Sequence, residues 1–85
     1  MTRPDRVAIV TGAGKGLGRA YALALAAKGV AVVVNNRWTD RSQPSSAVSV
    51  VEEIRAAGGL AVASLEAAEA PDAGAAMVAL ALEHF

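Results

Sequence analysis

Three observations predict an α/β fold built on a parallel sheet for this 85-residue chain. Short apolar runs alternate with helix-length segments in the order β-α-β-α-β-α, a glycine-rich turn joins the first run to the first helix, and glycine or proline marks the later junctions. The pattern is continuous and free of internal repeats. Residues 1–85 are therefore read as one portion of a single domain, with no second domain.

Val7-Ala8-Ile9-Val10 is apolar at every position, as in a strand buried on both faces of a parallel sheet. Four residues alone would also suit a helix fragment, and the glycine-rich turn behind them decides for a strand. Residues 17–28 are rich in strong helix formers (Ala20, Ala22, Leu23, Ala24, Leu25, Ala26, Ala27), and Gly29 follows as a helix-ending residue. This helix is apolar nearly all round and is expected to be largely covered. The β-branched run 30–34 ends in Asn35-Asn36-Arg37 and completes a βαβ unit of about 30 residues.

A polar loop, 38–44, leads to Ser45 or Ser46 as the cap of a second helix. There Val48, Val51, Ile54 and Arg55 recur at helical spacing, Glu52 and Glu53 face away, and Gly58-Gly59 ends the segment. Residues 60–65 read as a third, short strand with fewer β-branched side chains. Pro71-Asp72 opens a third helix, with Ala73, Ala76, Met77, Leu80, Ala81 and His84 on one stripe and Val78, Leu82 and Phe85 on a second.

Composition narrows the function. The absence of cysteine excludes a disulfide framework and a thiolate metal site, in keeping with a reducing, cytoplasmic setting. A formal net charge of +0 leaves no basic footprint for nucleic acid. No apolar stretch approaches the roughly 20 residues of a membrane span, so no membrane partner is expected. Residues 1–6 lead into a strand too short for the core of a secretion signal, and none is inferred. A domain of this length buries only about 60 to 65% of its unfolded surface, which makes a full two-layer α/β core marginal.

The chemistry lies in Thr11-Gly12-Ala13-Gly14-Lys15-Gly16-Leu17-Gly18, a turn with little in it but backbone. Glycine lets a bulky anion approach the amides, and the helix behind aims unpaired N–H groups and partial positive charge at it. A Walker loop is excluded, because Lys15 is followed by Gly16 and Leu17 stands five residues after Gly12. The G-x-G-x-x-G fingerprint fails in every register, since Leu17, Arg19 and Tyr21 fall where its last glycine belongs. T-G-x-x-x-G-x-G does fit, on Thr11, Gly12, Gly16 and Gly18.

With that spacing after a first apolar strand, the chain resembles the short-chain dehydrogenase/reductase superfamily. The run Gly18-Arg19-Ala20-Tyr21-Ala22-Leu23, the strand Val32-Val33-Val34-Asn35 and the segment from Val50-Val51-Glu52-Glu53-Ile54-Arg55 to Gly58-Gly59 are similar to one branch of it. That branch holds the (3R)-hydroxyacyl-CoA dehydrogenase unit of peroxisomal multifunctional enzyme type 2 and related bacterial reductases. The resemblance implies a three-layer Rossmann-type sheet of which this chain is the first β-α-β-α-β-α half only. It also implies an oxidoreductase that moves hydride between NADP(H) or NAD(H) and a carbonyl/alcohol substrate.

The cofactor residues implied are Thr11, Gly12, Gly14, Lys15, Gly16, Leu17 and Gly18 in the turn, with Asn36, Arg37 and Glu66 after the second and third strands. In such a fold the end of the second strand meets the adenosine ribose, and an acid there selects NAD. Asn36 stands at that position with Arg37 beside it, and Lys15 adds a second cation. NADP(H) is thereby favoured over NAD(H); the bland alternative makes both cations mere solvated surface charges. Asn36 departs from the Asp usual in the hydroxyacyl-CoA enzymes. Glu66 lies where family members often place an Asp that accepts from the adenine amino group, or is simply a loop acid.

No catalytic residue and no metal ligand is assigned. The family's Ser, Tyr and Lys come from later segments. Tyr21 has Leu25 rather than Lys four residues on, and Asn35-Asn36 is followed by Arg37-Trp38 rather than Ala-Gly. His84 is expected to pack or face solvent, and Trp38 to pack the long loop rather than shelter the adenine. The usual strand order leaves residues 7–10 as an open apolar edge, so the chain is expected to be the N-terminal piece, or a shortened product, of a longer enzyme, inactive alone. Its expected partners are the dinucleotide and either the rest of that enzyme or another chain at the edge, with homo-oligomers reserved for the full-length enzyme. The alternative function is a non-catalytic nucleotide-binding or assembly fragment that pairs this edge with another chain.

Overall fold

The computed structural model describes residues 6–38, 40–68 and 70–85. The reading of residues 1–5 as a non-signal leader, and loop position Thr39, lie outside them. Six elements alternate along the chain: β1 (Val7–Val10), α1 (Gly16–Ala27), β2 (Ala31–Asn35), α2 (Ser46–Ala56), β3 (Ala61–Ser64) and α3 (Ala73–His84). The strands form one parallel sheet in the order β1-β2-β3, with Val7 opposite Ala31 and Val32 opposite Ala61.

Three layers follow from the period-2 alternation of β2. Val32 and Val34 pack in one cluster with Ala22 of α1 and Ala47, Val50, Val51 and Ile54 of α2. Val33 turns to the other face, where Val62 meets Ala73 and Met77 of α3. Every residue of β2 is buried, as its run of valines predicts for a central strand covered on both sides. The exposed Arg19–Glu53 pair, with Arg19 Nη2 2.7 and 2.6 Å from the two carboxylate oxygens, ties α1 to α2 and adds at most about 1 kcal/mol.

The helices depart from expectation in their faces. Far from being largely covered, α1 buries only Ala22, while Leu17 and Tyr21 are 68% and 57% exposed. It rests on the sheet and on α2, and among the described residues no element stands over its remaining surface. In α2 the buried stripe is Ala47, Val50, Val51 and Ile54, whereas Val48 and Arg55 are exposed. The spacing 47-50-51-54 keeps one face to the sheet, and Val48, one residue on, is turned about 100° away. Arg55 instead reaches along its stem to donate from Nε to the Ala61 carbonyl at 3.0 Å. In α3, Ala73 and Met77 are buried with Leu80, Ala81 and Phe85 packed against them, so Phe85 joins the first stripe while Val78 and Leu82 face outward.

Parallel strands send their C-terminal ends to a single edge of the sheet. The turn after β1, Asn36 after β2 and Glu66 after β3 therefore gather on that edge, which is where open α/β sheets bind ligands. Among the described residues β1 has β2 on one side only, and Val7 and Ile9 remain 43% and 40% exposed.

Candidate functional site

The turn between β1 and α1 is shaped by two left-handed glycines, Gly12 and Gly16, each at φ +62°. At neither would a Cβ meet another atom within 4 Å, so the turn is open on the side those positions face. The Ala13 N–H donates to the Asn35 carbonyl at 2.8 Å and pins the turn to the end of β2. Gly18 serves close packing instead: a Cβ there would overlap the Gly12 carbonyl oxygen and lie 3.1 Å from Ala13 Cα. Turn and helix are thus pressed together, backbone on backbone.

Lys15 takes the cap position of α1 in an extended conformation, with no side-chain capping bond, and no acid stands in the first turn. Among the described residues no side-chain oxygen caps the leading N–H groups of this 12-residue helix, which leaves them and the positive end of the dipole to an anion. By contrast α2 is capped by Ser45, whose Oγ accepts from Val48 N at 3.3 Å. The open turn, the unoccupied donors and the flanking cations fit a diphosphate.

Beside the turn, Thr11, Gly12, Asn35, Asn36, Arg37 and Ala68 line a cleft of ≈ 250 Å³. Four sequence-predicted residues, Thr11, Gly12, Asn36 and Arg37, thus come together there. Lys15, Gly16 and Leu17 continue along the exposed turn without lining the cleft, and Gly14 is buried beneath it against Asn36 and Ser46. Glu66 lies exposed past β3, also outside the cleft lining, and Ala68 occupies that side.

Asn35 holds this rim in place. Fully buried, its Nδ2 lies 3.1 Å from Ser64 Oγ and 2.8 Å from the Glu66 carbonyl oxygen, donating across from β2 to the loop after β3. The sequence carried one signal of this, a polar residue closing a run of valines. Nothing local announced Ala68, or Ser46, whose Oγ accepts from Asn36 Nδ2 at 2.5 Å. Trp38 packs its own loop: Nε1 donates to the Asp40 and Gln43 carbonyls at 3.1 and 2.9 Å, and the Arg41 guanidinium sits 4.2 Å from the ring centre. Within that loop Asp40 accepts from the Ser42 hydroxyl and backbone N–H, which holds its carboxyl below the ordinary range. Tyr21 and His84 are exposed, and neither lines the cleft.

Among the described residues no group of three or more His, Asp or Glu side chains is placed to hold a metal, and no helix is long and apolar enough to cross a membrane. The cleft and the turn beside it offer backbone donors, amide groups and the cations Arg37 and Lys15. Such a set is suited to a phosphorylated ligand with free hydroxyls.

Known proteins are similar to this chain in sequence and fold. The family described as short chain dehydrogenase matches residues 6–85. Mouse peroxisomal multifunctional enzyme type 2 is 49% identical over 84 residues, covering 94% of this chain and 11% of that protein. The crystal structure of a short chain dehydrogenase from Mycobacterium avium superposes with a TM-score of 0.85 at 48% identity, over 94% of this chain and 30% of that one. A 7α-hydroxysteroid dehydrogenase solved with NADH and 7-oxo glycochenodeoxycholic acid gives 0.81 at 32% identity, over 94% and 29%. The chain therefore spans less than a third of the length of each of these proteins.

Proposed function

The chain belongs to the short-chain dehydrogenase family, and on that premise we propose that it holds the adenosine diphosphate half of NADP(H), with NAD(H) as the weaker ligand. It would do so within an oxidoreductase acting on a carbonyl or alcohol. The observation that carries this reading is the uncapped start of α1 above an open turn built on two left-handed glycines. When bound, the nicotinamide would supply or accept the hydride.

This chain's own residues bind and orient. The amides of Gly12 and Gly14 in the turn and of Gly16, Leu17 and Gly18 in the first turn of α1 hold the diphosphate, with Thr11 at the start of the turn. Asn36 faces the ribose hydroxyls. Arg37 and Lys15 attract a 2′-phosphate, and a neutral amide at 36 does not repel it, which is why NADP(H) is preferred. Glu66 accepts from the adenine amino group through its longer arm. The proton chemistry falls to groups outside these 85 residues, so residues 1–85 act as the N-terminal portion of the nucleotide domain. The cysteine-free composition of these 85 residues is in keeping with a cytoplasmic setting, and the mouse relative is named as peroxisomal.

Calorimetric titration of the 85-residue chain with NADPH, NADH and ADP tests the reading. Binding in the order NADPH before NADH, without reduction of an added carbonyl compound, is expected; no binding of any of the three overturns it. A second reading rests on the open edge of β1 with its exposed Val7 and Ile9. Here the chain is a non-catalytic nucleotide-binding module that adds a strand from another chain, and association without nucleotide binding favours its assembly role.

A further inference from the structure

Three segments meet at one point beneath the cleft. Asn36 Nδ2 donates to Ser46 Oγ at 2.5 Å, and a Cβ on Gly14 would overlap that hydroxyl oxygen and come 2.5 Å from the same nitrogen. Ser46 is the first residue of α2, yet it is not that helix's cap, because Ser45 already fills the role. Its hydroxyl is free to serve Asn36. The Asn36 backbone is fixed separately, its N–H donating to the Ser64 carbonyl at 3.1 Å.

An asparagine amide has one donor end and one acceptor end, and they differ in the ligands they suit. The acceptor suits only the 2′-hydroxyl of NAD(H), whereas the donor suits the 2′-phosphate of NADP(H) as well. Ser46 engages the donor end. Among the described residues no hydrogen bond falls on Oδ1, so the acceptor end is the one left for the ribose.

We propose that Ser46 is a positioning residue for cofactor choice: by holding the Asn36 amide through its NH2 group, it keeps Oδ1 for the ribose 2′-hydroxyl and so retains NAD(H) binding beside the phosphate-attracting Arg37 and Lys15. Asn36 then acts as an uncharged counterpart of a ribose-binding carboxylate, accepting from the hydroxyl without repelling the phosphate. Gly14 is part of the device, since only a residue without a side chain leaves room for the pair. This inference rests on the nucleotide reading given above.

The test uses adenosine 2′,5′-bisphosphate and 5′-AMP, which carry the discriminating ribose without the nicotinamide half, titrated into the 85-residue chain by calorimetry. Ser46→Ala releases the amide to turn its NH2 toward the phosphate. The affinity ratio of bisphosphate to AMP is expected to rise about tenfold or more, the effect of one hydrogen bond to a charged phosphate. In an Asn36→Asp background, where no amide can turn, Ser46→Ala is expected to leave the ratio within about twofold. A merely structural role at the start of α2 would shift the ratio alike in both backgrounds, or in neither, and either result overturns the proposal. The ¹⁵N NMR signal of the Asn36 side-chain amide supplies a nucleotide-free readout, expected to move in Ser46→Ala. Binding of both nucleotides with no change in ratio sinks the role of Ser46 alone. If neither nucleotide binds the unaltered chain, the reading of the site falls and this proposal with it.

Discussion

Gly12 and Gly18 stand in the same turn, yet a methyl group would harm them for different reasons. At Gly12 there is space for a Cβ, and the cost is backbone strain at φ +62°, about 1 to 2 kcal/mol. At Gly18 the φ is ordinary, but the Cβ would overlap the Gly12 carbonyl, a backbone atom that cannot step aside. Urea unfolding is expected to show Gly18→Ala destabilised by about 2 to 4 kcal/mol, and more than Gly12→Ala, because turn and helix must separate. Arg37 is tested by ligand rather than by stability. Arg37→Ala should weaken NADPH about fivefold to tenfold and leave NADH within about twofold, as measured by titration, because only the former carries a 2′-phosphate. Much of the cleft was legible residue by residue: Thr11, Gly12, Asn36 and Arg37 declare themselves through spacing from the first strand and position after the second. Asn35 was only half legible, and Ser46 and Ala68 not at all, because their roles depend on contacts ten to thirty residues away in sequence that no local pattern encodes.

At the scale of elements, the existence and order of the strands and helices followed from apolar runs and glycine punctuation, and their ends fall within a residue or two of the sequence reading. Which face each helix buries was less legible. An alanine-rich helix such as α1 has an apolar surface all round, so periodicity cannot say which side meets the sheet, and a helix placed at one end of a three-stranded sheet leaves Leu17 and Tyr21 outside. The loop between β2 and α2 has a pH response of its own. The Ser42 hydroxyl and backbone N–H lower the Asp40 carboxyl, and the same turn receives the Trp38 indole N–H through the Asp40 carbonyl. A carboxyl depressed in the folded state stabilises its surroundings above its unfolded value and loses that contribution as pH falls through the lower folded value. Fluorescence of Trp38, the sole tryptophan, should therefore report an acid transition with a midpoint below the ordinary carboxylate range. Ser42→Ala should move that midpoint upward; an unmoved midpoint would assign the transition to global acid unfolding.

For the molecule as a whole, the layout is asymmetric. Among the described residues, β2 is sealed by a strand on each side and by helices on both faces, whereas β1 is sealed on one side, with Val7 and Ile9 partly exposed. A row of unpaired N–H and C=O groups flanked by apolar side chains is a template for another strand. The sequence foretold this through the chain order alone: in an open α/β sheet the first strand lies inside, and its second neighbour comes from a later strand than the three present here. Two measurements follow from the asymmetry. Amide hydrogen exchange should find the β2 amides the most protected and those of β1 far less so, since opening the edge costs only part of the global free energy. Sedimentation velocity over a concentration series should show the 85-residue chain associating. Ile9→Lys, which places a charge on the edge where its stem can still cover apolar surface, should abolish that association while changing stability by no more than about 1 kcal/mol. A chain that stays monomeric throughout the series, with β1 as protected as β2, would mean that the edge is closed in solution and that no further strand is needed to complete the sheet.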